Sequence, residues 1–245
     1  MNIAVVFAGG VGARMNSKVL PKQFLSIHGK PIIVHTLEHF EKHPRIDAVV
    51  VSCVEGWIDY LNDIIGKYNL TKVKKVVPGG QTGQLSIYNG LCAAKDVAGS
   101  DDAIVLIHDG VRPFITNKLI NDNIDSVERY GSAITSVPAK ETVLMIENNA
   151  SEIIDIPDRA NTRLARAPQS FHLNEILEAH EKAISEEKTD FIDSCSMMKY
   201  YGKKLYLIDG PVENIKITTP EDFYTMRALL DAKENEQIYG VSTDE

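Results

Sequence analysis

The chain is 245 residues long, enough to bury one sizeable core, and its length fits a single α/β domain. Hydrophobic residues make up 44% and charged residues 24%, and no run reaches the roughly 18 consecutive apolar residues that span a bilayer, so no membrane partner is expected. The formal net charge of −8 and the lack of a basic stripe argue against a nucleic-acid partner, although a few cations converging on one cleft still suit an anionic substrate.

In chain order, β-branched apolar runs alternate with amphipathic segments, which predicts an α/β fold with a mostly parallel sheet flanked by helices. The first strand, Ile3–Phe7, follows an N-terminus without a basic start or a cleavage site, so it reads as buried structure and not as a signal peptide. A glycine loop, Ala8–Met15, comes next. Helix Pro31–Lys42 then carries Ile32, Ile33, Leu37 and Phe40 on one stripe, followed by strand Ala48–Cys53, helix Gly56–Lys67 and strand Lys75–Val77. Helix Leu85–Lys95, strand Ala103–Ile107, helix Asn117–Tyr130 and strand Ser132–Val137 continue the alternation. The rhythm breaks between about Lys140 and Arg159. There, Thr142–Ile146 and Ile153–Ile156 flank a polar Asn148-Asn149 turn and read as an inserted hairpin. Helices Leu173–Ser185 and Pro220–Lys233 follow, the second opening on a cap threonine, Thr219, then a proline and two acids. The expected organisation is one domain over 1–234, with the hairpin arm at about 139–160 and a polar tail over 235–245. Cys53, Cys92 and Cys195 are too few and too scattered for a disulfide framework or a zinc site. They read as small buried hydrophobes in a reducing compartment, which makes the expected location cytoplasmic.

The chemistry begins at Ala8-Gly9-Gly10-Val11-Gly12-Ala13-Arg14-Met15, directly after a strand. Glycine lets backbone N–H groups approach a phosphate closely, because no Cβ blocks the way. The same glycines equally suit a tight turn that packs strand against helix. The loop lacks the Gly-Lys-Ser/Thr ending of an NTPase phosphate loop, and Pro21 interrupts the helix that a dinucleotide fingerprint needs. Lys22, just past Pro21, adds a second cation to Arg14; arginine grips two oxygens at once, while lysine is a compact charge for a bridging or leaving oxygen. Asp109 follows a buried run and so stands at a strand's carboxyl end, fit either for a turn or for metal and sugar contacts. Lys216, alternating with Ile215 and Ile217, reads by pattern alone as a surface residue of an edge strand.

Ala8–Met15 is followed in order by Pro21-Lys22-Gln23-Phe24, Gly79-Gly80, His108–Pro113, Asp158-Arg159, Pro168–Phe171 and Asn214–Thr218. This series resembles the cytidylyltransferases that act on methylerythritol 4-phosphate and on ribitol 5-phosphate, over nearly the whole chain. The resemblance implies a Rossmann-like nucleotidyltransferase fold, CTP and a polyol phosphate as substrates, Mg²⁺ as cofactor, and a homodimer joined by the β-arm. CMP would pass from CTP to the polyol phosphate with release of pyrophosphate. It also implies residue roles. Arg14, Lys22 and Lys216 match catalytic cations. Ala8, Gly9, Gly10, Gly12, Gly80, Gln81, Ser86, Asp109 and Arg112 match the nucleotide site, with Asp109 near Mg²⁺ or ribose. Thr142 and Arg159 match residues that a partner's arm brings to the acceptor phosphate. No cluster of several carboxylates is visible, so the metal is expected to rest mainly on CTP oxygens and water.

The chain departs from the family pattern in two places. Gly83 stands where an arginine is usual, with Gln84 and Leu85 replacing small and acidic residues in the base-reading segment. Ala167 replaces a threonine before Pro168-Gln169, and Arg166 adds a cation on the acceptor side. The segments His108–Thr116 and Ile192–Cys195 are closer to the ribitol branch, which would serve cell-wall or capsule polymers, than to the methylerythritol branch of isoprenoid biosynthesis. A nucleotide-binding regulator without turnover is the reading from another class, and an NAD-linked reductase rests on the glycine loop alone.

Overall fold

The computed structural model describes residues 1–9, 20–99, 102–147 and 151–239, with side chains of the last helix through residue 235. Its elements begin with β1 (Asn2–Ala8), β2 (Ser26–Ile27), β3 (Lys30–Pro31), α1 (Ile32–Lys42), β4 (Ala48–Cys53), α2 (Ile58–Lys67) and β5 (Val73–Pro78). They continue with α3 (Gly83–Ala98), β6 (Ile104–Asp109), α4 (Asn117–Tyr130), β7 (Ser132–Pro138), β8 (Met145–Ile146) and β9 (Ile153–Asp155). The chain then forms β10 (Arg163–His172), α5 (Leu173–Ser185), α6 (Ser194–Tyr200), β11 (Leu207–Asp209) and α7 (Pro220–Tyr239).

A seven-stranded sheet in the order β11-β7-β10-β6-β1-β4-β5 forms the centre. β1 pairs in parallel with β4 on one side and β6 on the other, so Val5 lies between Val50 and Ile107. Every residue of β4 and of β6 is buried, which is why those strands read as unbroken apolar runs. Successive side chains point to opposite faces. Ala4, Val6, Val49 and Val51 pack with α1, α2 and α4 residues such as Leu37, Leu61 and Ile120. Ile3, Val5, Val50 and Val105 pack with α3 and α5 residues such as Leu91 and Ile176. Each such valine, leucine or isoleucine side chain contributes roughly 2 kcal/mol by leaving water.

A third, smaller core explains how the C-terminal segment is held. Ile27, Ile32, Val111, Phe114, Ile217 and Met226 bury one another, joining the β2–β3 hairpin and α7 to the turn after β6. The Ile217 N–H donates to the Val111 carbonyl at 2.9 Å. Asp222 then closes the start of α7, accepting from the Thr218 and Thr219 N–H groups, both at 2.8 Å.

Three features differ from the sequence reading. β10 lies in the middle of the sheet, antiparallel to both β6 and β7; its Pro168 hid it, since proline cannot donate to a ladder, and the register with β7 shifts between Ala165 and Gln169. The segment carrying Lys216 is extended loop and not an edge strand; the strand at that edge is β11, several residues earlier. α7 continues past Asn235 to Tyr239, into the stretch read as a polar tail. The inserted hairpin is present as β8 paired antiparallel with β9, shorter than its β-rich flanks suggest, and 148–150 at its tip lie outside the described residues. No helix among the described residues is long and apolar enough to cross a membrane.

Candidate active site

β1, β4, β5 and β6 all end on one edge of the sheet. Residues at or just past those ends (Ala8 and Gly9, Val54 and Glu55, Gly79 and Gly80, Asp109) line a cavity of about 650 Å³. Ligands of open α/β sheets bind at this carboxyl edge. Glycine is required where the loops converge: a Cβ on Gly9 would stand 2.7 Å from the Ser86 Oγ, and one on Gly80 would collide with Leu85. Ser86, buried on α3, ties that turn down. Its Oγ accepts from the Gly80 N–H at 3.0 Å and donates to the Thr82 carbonyl at 2.9 Å. Gln23 does the same for β1, donating from Nε2 to the Ala8 carbonyl at 2.7 Å and so fixing the turn that carries Lys22.

The charged centre of the site is Asp109, only 4% exposed. Its Oδ2 accepts from Arg112 Nε and lies 3.0 Å from Arg112 Nη2, while its Oδ1 lies 2.6 Å from Lys216 Nζ. Burial by itself would raise the Asp109 carboxyl, but Arg112 and then Lys216 outweigh it and hold the group well below the usual carboxylate range. Arg112 is also buried and is braced at its other end, where Nη1 donates to the Asn214 carbonyl at 2.7 Å. Beneath it, fully buried His108 is pushed down to about 4 by burial and is therefore neutral at pH 7. Its Nε2, 2.9 Å from the Arg112 carbonyl, carries the proton, because a carbonyl can only accept.

A second cavity, of about 250 Å³, opens beside the first, and Phe7, Gly83, Asp109 and Lys216 line both. Its far wall comes from Arg166, Ala167 and Gln169 of β10 and from Ile192, Asp193 and Ser194. Arg166 Nη1 donates at 3.3 Å to the same Asn214 carbonyl that Arg112 uses. Burial first, and then the neighbouring Arg112 charge, lowers the Arg166 pKa, so this corner carries crowded positive charge that favours an anionic ligand.

Of the residues singled out in the sequence, Ala8, Gly9, Lys22, Gly80, Gln81, Ser86, Asp109 and Lys216 line the larger cavity, and Arg112 and Arg166 line the smaller. Gly10, Gly12 and Arg14 lie outside the described residues. Thr142 and Arg159 are exposed on the arm and at its base, and line neither cavity of their own chain. Gln23, Gln169 and Asn214 fall within the sequence motifs, yet no task for them follows from the sequence. All three are buried amides whose partners come from distant parts of the chain, which no local pattern announces.

The donor set does not make a divalent-cation site by itself. Both Asp109 oxygens already face cations, and Glu55 is the only other carboxylate on the larger cavity's described wall. Among the described residues the one group of three potential metal ligands is His28, Asp231 and Glu234, exposed between the β2–β3 turn and α7.

Fold and site together define a Rossmann-like α/β enzyme with a polar, cation-lined cleft at the carboxyl ends of its strands. The chain belongs to the IspD family, 2-C-methyl-D-erythritol 4-phosphate cytidylyltransferase, which it matches over residues 2–232. Members of that family are CTP-dependent cytidylyltransferases. The chain is 58% identical over 241 residues to the ribitol-5-phosphate cytidylyltransferase of Streptococcus agalactiae serotype V, covering 98% of this chain and 100% of that protein. The 2-C-methyl-D-erythritol 4-phosphate cytidylyltransferase of Clostridium botulinum strain Langeland is more distant, at 41% over 230 residues, covering 94% and 97%. Among solved structures, 4-diphosphocytidyl-2C-methyl-D-erythritol synthase from Anaerococcus prevotii superposes with a TM-score of 0.80 at 27% identity, over 94% of this chain and 96% of that one.

Proposed function

We propose that this chain transfers CMP from CTP to ribitol 5-phosphate, forming CDP-ribitol and releasing pyrophosphate. The observation that carries the reading is the position of Lys216, whose ammonium stands on the wall common to both cavities, 2.6 Å from Asp109 Oδ1. A nucleotide in the larger cavity and a polyol phosphate in the smaller would meet at that point. The choice of ribitol 5-phosphate is supported by the 58% identity to the Streptococcus agalactiae enzyme, against 41% to the methylerythritol enzyme.

In the proposed reaction an oxygen of the acceptor's phosphate attacks the α-phosphorus of CTP. One P–O bond forms, the bond from the α-phosphorus to the bridging oxygen breaks, and pyrophosphate leaves with that electron pair. A phosphate dianion is already deprotonated, so no general base is needed, and the task is to stabilise negative charge on the non-bridging oxygens. Lys216 serves the α-phosphate, held in place by Asp109; Lys22 and Arg14 serve the rest of the triphosphate. With Asp109 already paired to two cations, a divalent cation would rest on the phosphate oxygens of CTP and would supply charge neutralisation there. Gly80, Gln81 and Ser86 frame the base, and Arg166 with Arg112 attracts the acceptor.

The arm completes the reading. Leu144, Met145, Ile146, Ile153, Ile154 and Ile156 are each about half exposed, which is a large apolar surface for two strands of two and three residues. An isolated hairpin is marginal in water, and a contiguous apolar patch marks an interface. The chain acts as a homodimer in which each arm carries Thr142 and Arg159 to the other subunit's acceptor cavity. It works in the cytoplasm, where CTP is available and the free cysteines stay reduced.

The test is pyrophosphate release by purified protein with CTP and a panel of polyol phosphates. Ribitol 5-phosphate is expected to give the highest kcat/KM. Faster turnover of methylerythritol 4-phosphate would transfer the chain to the other branch, and nucleotide binding with no release across the panel would make it a regulator. Replacing CTP by UTP, ATP or GTP should lower turnover sharply.

A further inference from the structure

The smaller cavity has one wall that belongs to no sheet strand. It is the connection between α5 and α6 with the first residue of α6, where Ile192 is 91% exposed and Asp193 and Ser194 line the cavity. Such a loop would ordinarily be free to adapt, and an adaptable wall discriminates poorly between similar alditol chains. Here it is tied at both ends by glutamine side chains, and each amide spends its donor and its acceptor on it.

At the far end, Gln169 of β10 donates to Asp193 Oδ2 at 3.0 Å and accepts from the Cys195 N–H at 2.7 Å. At the near end the tie is Gln84, on the first turn of α3 and only 4% exposed. Its Nε2 donates to the Lys188 carbonyl at 2.8 Å, and its Oε1 accepts from the Phe191 N–H at 2.9 Å. Thr82, which caps α3, adds a bond from its Oγ1 to the Thr189 carbonyl at 2.6 Å. Between these two anchors on the α3 side stands Gly83, which lines both cavities and where a Cβ would meet nothing within 4 Å.

We infer that Gln84 is a positioning residue for the acceptor: it takes no part in reading the base, and its two hydrogen bonds fix the Lys188–Ser194 wall against which the polyol lies. This rests on the reading that the smaller cavity takes the acceptor. It also gives a task to a residue that, from sequence, stood only as an irregularity in the base-reading segment.

The test is steady-state kinetics of Gln84→Met, which keeps the length and apolar volume of the side chain and removes both hydrogen bonds. KM for ribitol 5-phosphate is expected to rise about tenfold, the effect of one to two lost hydrogen bonds, with KM for CTP changed by less than about twofold. Preference for ribitol 5-phosphate over methylerythritol 4-phosphate should shrink by a similar factor. A substitution that merely loosened the fold would move both KM values together, and that result, or an unmoved acceptor KM, overturns the inference. Gln84→Asn, whose amide is one methylene too short to keep both bonds, carries the same split if Gln84→Met does not fold. Wild-type protein that turns over no polyol phosphate would sink the underlying reading instead, so the two failures are told apart by the wild-type control.

Discussion

Lys216 and Arg112 contact the same carboxylate, yet they should respond differently to substitution. Lys216 is 39% exposed at its side chain and Arg112 only 8%. Either substitution leaves Asp109 one cation short, but the more exposed Lys216 position lets water reach the freed carboxylate oxygen, so losing the lysine costs less folding free energy than losing the arginine. On the proposed chemistry Lys216→Ala should lower kcat by roughly 10²–10³, with a smaller fall in thermal midpoint than Arg112→Ala causes, as measured by pyrophosphate release and calorimetry. Arg112→Ala leaves Asp109 buried with one cation fewer and the Asn214 carbonyl without its shorter guanidinium bond. A loss of about 3 kcal/mol is expected in denaturant unfolding. Partial recovery in the double variant Arg112→Ala, Asp109→Asn would show that the stranded charge is the cause.

At the scale of elements, the arm and β10 teach opposite lessons. The arm was legible in the sequence because its apolar residues flank a polar turn, a local signal. Its exposure in one chain makes a sharp expectation: Ile154→Asp should shift the protein toward monomer in sedimentation while far-UV dichroism stays the same. If Thr142 and Arg159 act across subunits, the acceptor KM rises with it. β10 was not legible. Its residues Arg163–Gln169 mix charge, alanine and proline, and only pairing with β6 and β7 makes them a strand. The first turn of α6 is capped by Asp193, whose Oδ1 accepts from the Ser196 N–H at 2.8 Å, while Gln169 takes the Cys195 N–H. Asp193→Ala should cost about 1 kcal/mol and, because Oδ2 also holds Gln169, loosen the acceptor wall.

The whole molecule carries a pH dependence set by its buried groups. His39, His108 and His180 are each lowered from 6.5 to about 4, in every case chiefly by burial. The unfolded chain therefore binds more protons than the folded one between about pH 4 and 6.5, and stability must fall as pH drops through that window. His180, with neither ring nitrogen hydrogen-bonded to a protein group, stacks on Tyr88 with ring centroids 5.9 Å apart. His180→Phe should flatten the fall of the melting temperature between pH 7 and 5. Asp109 has the same sign at lower pH. Its folded pKa is depressed, so its contribution is complete above the unfolded value of about 3.9 and is lost only under strong acid.

Apolar period, capping residues and glycine act over a few neighbours, so the parallel strands, the helices between them, the glycine turns and the cations are readable along the chain. α4 and α5 have the bounds their periodicity predicts, and β4 those of its apolar run. Which side chains meet depends on packing in three dimensions. Lys216 reads as a surface lysine until burial of Ile217 and its bond to Val111 set it beside Asp109. Gln84 reads as a misfit in a base-binding turn until its amide is found holding the loop from Lys188 to Phe191, more than a hundred residues away. A polar side chain's role is fixed by its partner, and across such separations the partner is chosen by how the sheet and its helices pack.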